Sequence, residues 1–247
     1  MAIIVITHYP LPITTKDMQL ALKYLVTPDT ATLTANTDIL LSIPAGKSVL
    51  LENVGWQTFE KILSQLGDRR AARLAYDRGI LEIMAPLPEH EYYKEAVGDL
   101  VKDLADVLDV DYETLGSTTW KRPDLLAGVE PDNCFYFQHE SVIRGKLDFD
   151  LTQDPPPDLV LEIDITSKSL DRMPIYARLG VPEIWRYDKG QIKIYQLQGE
   201  AYVETDTSLA FPKIPVQQII PFIQQHRASG KKAMRRAFRE WVRLQVA

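Results

Sequence analysis

The sequence predicts a mixed β-sheet with helices packed on it, an α/β or α+β core rather than a bundle or a sandwich, and three observations carry that expectation. Segments with helical and strand periodicity follow one another in the order helix, hairpin, helix, strands, helix, strands, helix. One helix candidate spaces Val97, Leu100, Val101, Leu104 and Leu108 at i, i+3, i+4, i+7 and i+11. One strand candidate, DLVLEIDIT from Asp158 to Thr166, divides by its two-residue period into an apolar face (Leu159, Leu161, Ile163, Ile165) and an acidic one (Asp158, Glu162, Asp164, with Val160).

Residues 1 to about 50 scatter Thr and Pro among short apolar pieces, so partly irregular structure is expected there. WQTFEKILSQL then places Trp56, Phe59, Ile62, Leu63 and Leu66 on one helical face, with Gly67 as the stop. ARLAYDRGILEIM reads as a hairpin turning at Asp77-Arg78-Gly79. After the APLPEHE loop a longer helix is expected from Glu91. EPDNCFYF leads into a strand, and Gly145-Lys146 marks a bend before LDFDL. Asp154-Pro155-Pro156-Pro157 is a stiff entry to the acidic strand, because proline has no N–H to give a ladder. A helix around Ile175–Leu179 stopped by Gly180, a hairpin of EIWRYD and QIKIYQL through Lys189-Gly190, and a basic amphipathic helix over KKAMRRAFREWVRLQV complete the order.

At 247 residues, 45% hydrophobic and 25% charged, the chain is long enough for a large core of ordinary globular composition. A net charge of -6 argues against broad coating of nucleic acid but leaves room for a local basic groove. The single cysteine, Cys134, excludes an internal disulfide and a multi-cysteine zinc site, and makes a reducing, cytoplasmic compartment the expectation. MAIIVITHYPLP lacks the basic segment of a signal peptide, and no stretch approaches the roughly 20 apolar residues that cross a bilayer.

Carboxylates on a core strand are costly unless paired, protonated or bound to a cation. At about 3.3 Å per residue, Asp158, Glu162 and Asp164 stand roughly 13 and 7 Å apart along one face. A hard divalent cation with oxygen ligands suits that row. An edge strand with a solvated acidic face, or a salt-bridge ladder to a neighbouring strand, accounts for it as well. A second proline-acid pair, Pro131-Asp132, opens the strand NCFYF, with Asp132, Cys134 and Tyr136 on one face and Asn133, Phe135 and Phe137 on the other. If the two strands are neighbours, Asp132 comes within reach of Glu162, and an acid from each is the minimum bridge for Mg²⁺ or Mn²⁺.

EPDNCFYF, PPPDLVLEIDITS and IYARLGVPEIWRYD together resemble the Uma2 family, also called DUF820, which is abundant in cyanobacteria. The resemblance covers about residues 55 to 190, including the LPEHE loop and its helix. It implies a restriction-endonuclease-like mixed β-sheet flanked by helices over residues 51–200, with an N-terminal extension over 1–50 and a C-terminal one, carrying the basic helix, over 201–247. In that superfamily an aspartate and a glutamate on adjacent strands hold Mg²⁺, and a lysine two residues after the glutamate activates the attacking water. Asp132 and Glu162 match the two acids, whereas the lysine position is Asp164. Asp164 is then a further metal ligand or a base, and Lys168, four residues on, is either the displaced cation or a solvated loop lysine. Asp158 is a third ligand or a loop cap, and Glu95 is the additional helix-borne acid such folds often add. His90 is a proton shuttle or a hydrogen-bonding group at the helix start. The implied activity is Mg²⁺- or Mn²⁺-dependent hydrolysis of DNA phosphodiesters by a homo-oligomer, expected to be a dimer. The alternatives are a catalytically degenerate nucleic-acid-binding or dimerising module and a phosphohydrolase of small nucleotides. Tyr176, Trp185 and Tyr187 read as packing residues and Cys134 as a buried apolar one. The Lys and Arg of the last helix either follow a phosphate backbone or form a solvated face.

Overall fold

The computed structural model describes residues 2–6, 31–33, 39–67, 72–165 and 170–246, with side chains from residue 43 onward. The chain divides into two compact units: Met1–Leu87, Lys121–Glu130 and Thr166–Ile175 form the first, and Pro88–Trp120, Pro131–Ile165 and Tyr176–Ala247 the second. Both carry sheets with helices, the α/β class expected.

In the first unit, β1 (Ala2–Ile6), β2 (Ala31–Leu33) and β3 (Ile39–Ile43) make a three-stranded antiparallel sheet in the order β1-β3-β2. Strands thus occupy parts of the segment expected to be partly irregular; residues 7–30 and 34–38 lie outside the described residues. A second sheet runs β4-β6-β5-β9-β8, from β4 (Ser48–Leu51), β5 (Arg73–Asp77), β6 (Ile80–Met84), β8 (Trp120–Arg122) and β9 (Ala127–Val129). Asp77 pairs with Ile80 across a two-residue turn in which Arg78 and Gly79 both have positive φ, at 45° and 96°. That is the primed turn whose twist matches two right-twisted strands, which is why glycine stands there. Helix α1 (Trp56–Leu66) buries Phe59 and Ile62 and ends at Gly67, whose N–H returns to Leu63 O at 3.2 Å. On β6 the fully buried Glu82 faces the Arg172 guanidinium at 3.4 Å, so its charge is paired.

The second unit is built on a six-stranded mixed sheet in the order β14-β13-β12-β11-β10-β7. Its members are β7 (Glu113–Thr114), β10 (Asn133–Tyr136), β11 (Leu159–Asp164), β12 (Glu183–Asp188), β13 (Gln191–Gln198) and β14 (Ala201–Thr205). Neighbours are antiparallel except β11 and β12, which run parallel, with the short helix Met173–Leu179 in the connection between them. One face meets α2 (Pro88–Leu108) and the two C-terminal helices, Ile219–His226 and Lys231–Val246. Val97, Leu100, Val101 and Leu104 of α2 share that core with Phe135, Leu159, Leu161 and Ile163, so the apolar face read from β11 is the buried one. Gly98 allows α2 to approach β10, since a Cβ there would lie 2.8 Å from Asn133 Nδ2.

Several elements escaped periodicity. Strands of two or three residues, such as β7 and β9, are too short to show a period, and a four-residue helix, Glu140–Ile143, precedes the bend at Gly145. Helix α2 starts at Pro88, three residues before Glu91, because proline is pre-set for the first helical turn. The LDFDL stretch, Leu147–Leu151, forms irregular and turn backbone, with Leu147 exposed.

Candidate active site

The acidic centre lies wholly within the second unit, at the junction of β10, β11 and β12. Strands β10 and β11 pair antiparallel with Asn133 opposite Leu161, so one further step of the register sets Asp132 opposite Glu162. Opposed residues on antiparallel strands project to the same face. The ladder ends at Asn133, where Pro131 has no N–H to continue it, and Asp132 Oδ2 accepts instead from Ile163 N at 2.7 Å. The Asp132 side chain is fully buried and Glu162 nearly so. Tyr176 OH donates to Glu162 Oε1, holding that carboxylate from the Met173–Leu179 helix.

Helix α2 brings His90 to the same place. His90 is buried, with Nε2 3.0 Å from Asp132 Oδ2 and Nδ1 3.5 Å from Glu91 Oε1. Burial alone would lower its pKa and is the largest single influence, but Asp132 and Glu91 outweigh it and push the imidazole up to about 9. A cationic His90 at a helix N-terminus opposes the helix dipole, and these carboxylates compensate. Glu95, expected as the helix-borne acid, is exposed, and at about 100° per residue it stands some 140° around α2 from His90. The group that α2 delivers to Asp132 is therefore His90, and sequence reasoning gave it too little weight because nothing in a lone histidine marks its depth.

Asp164 occupies the position where a lysine was looked for, and the structure surrounds it differently. Parallel pairing sets Glu162 beside Arg186 of β12, and Arg186 Nε lies 2.5 Å from Asp164 Oδ2. Burial works against the Arg186 charge, yet Asp164 more than offsets it and holds the guanidinium above its ordinary pKa. Asp164, expected as a ligand or base, is thus engaged by an arginine that the sequence reading passed over as one residue of an ordinary strand. Lys168 lies outside the described residues. Asp158 is taken up as a loop cap: Oδ2 accepts from Phe137 N at 2.7 Å and His139 N at 3.0 Å, and Oδ1 meets His139 Nδ1 at 2.5 Å. Tyr176, Trp185, Tyr187 and Cys134 are all buried. Among the described residues no group of three or more His, Cys, Asp or Glu side chains could hold a metal ion.

A mixed sheet with helices packed on it places the second unit in the α/β class. Within it the chain belongs to the Uma2 family, whose model, described as "Putative restriction endonuclease", matches residues 56–227. Among solved structures it is similar to "Crystal structure of a putative nuclease belonging to DUF820 from Anabaena variabilis ATCC 29413", at 15% identity and a TM-score of 0.37, over 60% of this chain and 83% of that one. No curated protein matches. No helix among the described residues is long and apolar enough to cross a membrane.

Proposed function

We propose that this chain is a divalent-metal-dependent DNA endonuclease in which Asp132 and Glu162 hold the ion. The observation that carries the reading is the register that sets these two buried carboxylates opposite one another, in a chain of a restriction-endonuclease family. Two carboxylates are a donor set Mg²⁺ accepts, because it keeps several waters and completes its shell with substrate phosphate oxygens. Mn²⁺ shares that preference for oxygen. When bound, the ion supplies Lewis-acid polarisation of the phosphodiester and a water of lowered pKa.

The remaining roles fall to the chain's own side chains. His90 compensates and orients Asp132 from α2, and Tyr176 fixes Glu162 by its hydroxyl, so both acids are held before substrate arrives. Arg186, anchored through Nε by Asp164, keeps its terminal nitrogens for a phosphate oxygen beside Glu162. In this reading Asp164 positions a cation rather than ligating a metal, and Lys168 is a second candidate for the positive group. The single buried, free Cys134 agrees with a reducing cytoplasmic setting, and a dimer is the assembly to be tested by sedimentation.

The test is to incubate the purified full chain with plasmid and with single-stranded DNA, in Mg²⁺, Mn²⁺ or EDTA, beside Glu162→Gln. Metal-dependent nicking or linearisation by the wild type, absent in EDTA and in Glu162→Gln, is the expected result. DNA binding without cleavage under every condition would replace the reading with a degenerate binding module, which a carboxylate, Asp164, in place of the lysine favours.

A further inference from the structure

We infer that the concave surface between α2 (Pro88–Leu108) and the C-terminal helix Lys231–Val246 is a cradle for the phosphodiester backbone of a nucleic acid strand. A cavity of about 740 Å³ opens there, lined by five cations, Lys231, Lys232, Arg235, Arg236 and Arg239, against one carboxylate, Asp99. Asp99 lies 3.8 Å from both Lys231 Nζ and Arg235 Nη1, and with Asp103 beneath the five cations face two carboxylates, so in a chain of net charge -6 the cavity keeps a local positive excess that favours a polyanion.

The guanidinium groups are positioned from below. Asp103 on α2 is fully buried and takes Arg235 through two bonds of 2.9 Å, Nε to Oδ2 and Nη2 to Oδ1, and Arg239 Nε at 2.7 Å. Both arginines stay partly exposed, at 30% and 41%, so they are held at the cavity without being consumed by Asp103. A guanidinium fixed in this way loses less freedom when it binds phosphate. Lys232 and Arg236 are exposed and one helical turn apart, which suits successive contacts along a strand.

The other side of the C-terminal helix narrows the choice of partner. Met234, Phe238 and Val242 are buried in the core of the second unit, and the exposed apolar residues of the helix, Leu244 and Val246, stand in its last turn, about two turns beyond Arg236, so the part that lines the cavity presents no apolar stripe to a lipid surface. What lines the cavity is mainly charge, and a charged, hydrogen-bonding surface matches a phosphate backbone. Residues 231–246 lie beyond the 56–227 matched by the family model, whereas α2, which carries Asp99 and Asp103, lies within it.

The inference extends the nuclease reading by naming where the strand is held, and its test keeps the two apart. Fluorescence anisotropy of labelled single-stranded and duplex DNA is measured in EDTA with the full chain. The variants are Lys232→Glu/Arg236→Glu, the milder Lys232→Gln/Arg236→Gln, and a control of equal charge change at two other exposed lysines, Lys61→Glu/Lys213→Glu. Circular dichroism confirms that each is folded. The charge reversal should weaken binding about tenfold or more at low salt and lower the slope of log K against log salt by about 1.5, the loss of two phosphate contacts. The glutamine pair should shift both in the same direction by less, and the control by under about twofold. Equal losses in the control, unchanged affinity and slope in the reversal, absence of DNA binding by the wild type, or a reversal that weakens binding to anionic phosphatidylserine vesicles alone would overturn the cradle. Loss of DNA binding on reversal, in a wild type that cleaves nothing, would uphold the cradle and reject the nuclease reading.

Discussion

His90 Nε2 and Asp132 Oδ2 lie 3.0 Å apart in a setting where both side chains are buried, so neither charge can be left alone. Removing one partner of such a pair leaves the other uncompensated, at a cost of about 3–5 kcal/mol. His90→Ala should lower unfolding stability by that amount in urea melts. His90→Gln, which keeps a donor for Asp132, should lose less. Equal stability of His90→Ala and the wild type would show that Asp132 is solvated rather than paired.

A cation held by Asp132 and Glu162 stabilises only the folded state. At 100 times its dissociation constant it adds about 2.7 kcal/mol, which for a chain of this size corresponds to roughly 5–10 °C in Tm. Mg²⁺ or Mn²⁺ should therefore raise Tm in the wild type and much less in Glu162→Gln. Tyr176→Phe, which removes the hydroxyl donor to Glu162, should fall between the two. Equal metal shifts in all three proteins would place the ion elsewhere.

Gly98 sets how closely α2 can approach Asn133 of β10. A Cβ at this position would lie 2.8 Å from Asn133 Nδ2, and Asn133 Oδ1 is already engaged by Thr114 Oγ1 at 3.0 Å and Cys134 N at 2.9 Å. Gly98→Val should overpack the contact and cost about 1–3 kcal/mol, with β-branching adding to the loss. Denaturant midpoints measure it, and a neutral result would mean that Asn133 swings aside freely.

The parts of this molecule that could be read from sequence were those with a long period or a strict turn. Trp56–Leu66 and Lys231–Val246 occur with the bounds their apolar spacing suggested, and the turns at Arg78-Gly79 and Lys189-Gly190 follow from backbone that needs positive φ. The acidic face of β11 was legible because alternation separates it from Leu159, Leu161 and Ile163. What the carboxylates meet was not, since it depends on register and on helix approach. Arg186 reaches Asp164 because β12 runs parallel to β11 with Glu162 beside Arg186, and His90 reaches Asp132 because the start of α2 lies over the end of β10, a placement no local pattern announces.

Cys134 is fully buried, and burial is the main cause that pushes its thiol up to about 12, against smaller opposing influences from Trp120 and the Leu115 backbone. It should resist Ellman's reagent at pH 8 in the native state and react at once in denaturant. The native value lies above the reference of 9.0, so the protonated thiol favours folding fully below about pH 9 and that contribution is lost as pH rises through about 12. Cys134→Ala should flatten this part of the alkaline stability profile. Rapid labelling of the native protein would contradict the burial.

Arg186 is the cation that the described structure places on the acidic face, and its anchor is Asp164, at the position where the superfamily's lysine was expected. If it supports charge developing on the phosphate, Arg186→Ala should lower the cleavage rate by about 10²-fold, the scale of losing one preorganised donor. Arg186→Lys should recover part of that, because it restores the charge but not the fork. Asp164→Asn should act in the same direction but less, by loosening the anchor. Lys168→Ala is the comparison: a larger loss there than in Arg186→Ala would assign the role to the loop lysine. DNA affinity measured in EDTA separates a catalytic effect from a binding one, since a donor used in the transition state changes the rate and leaves ground-state affinity nearly intact. A fall in affinity that accounts for the whole loss in rate would make Arg186 a binding residue.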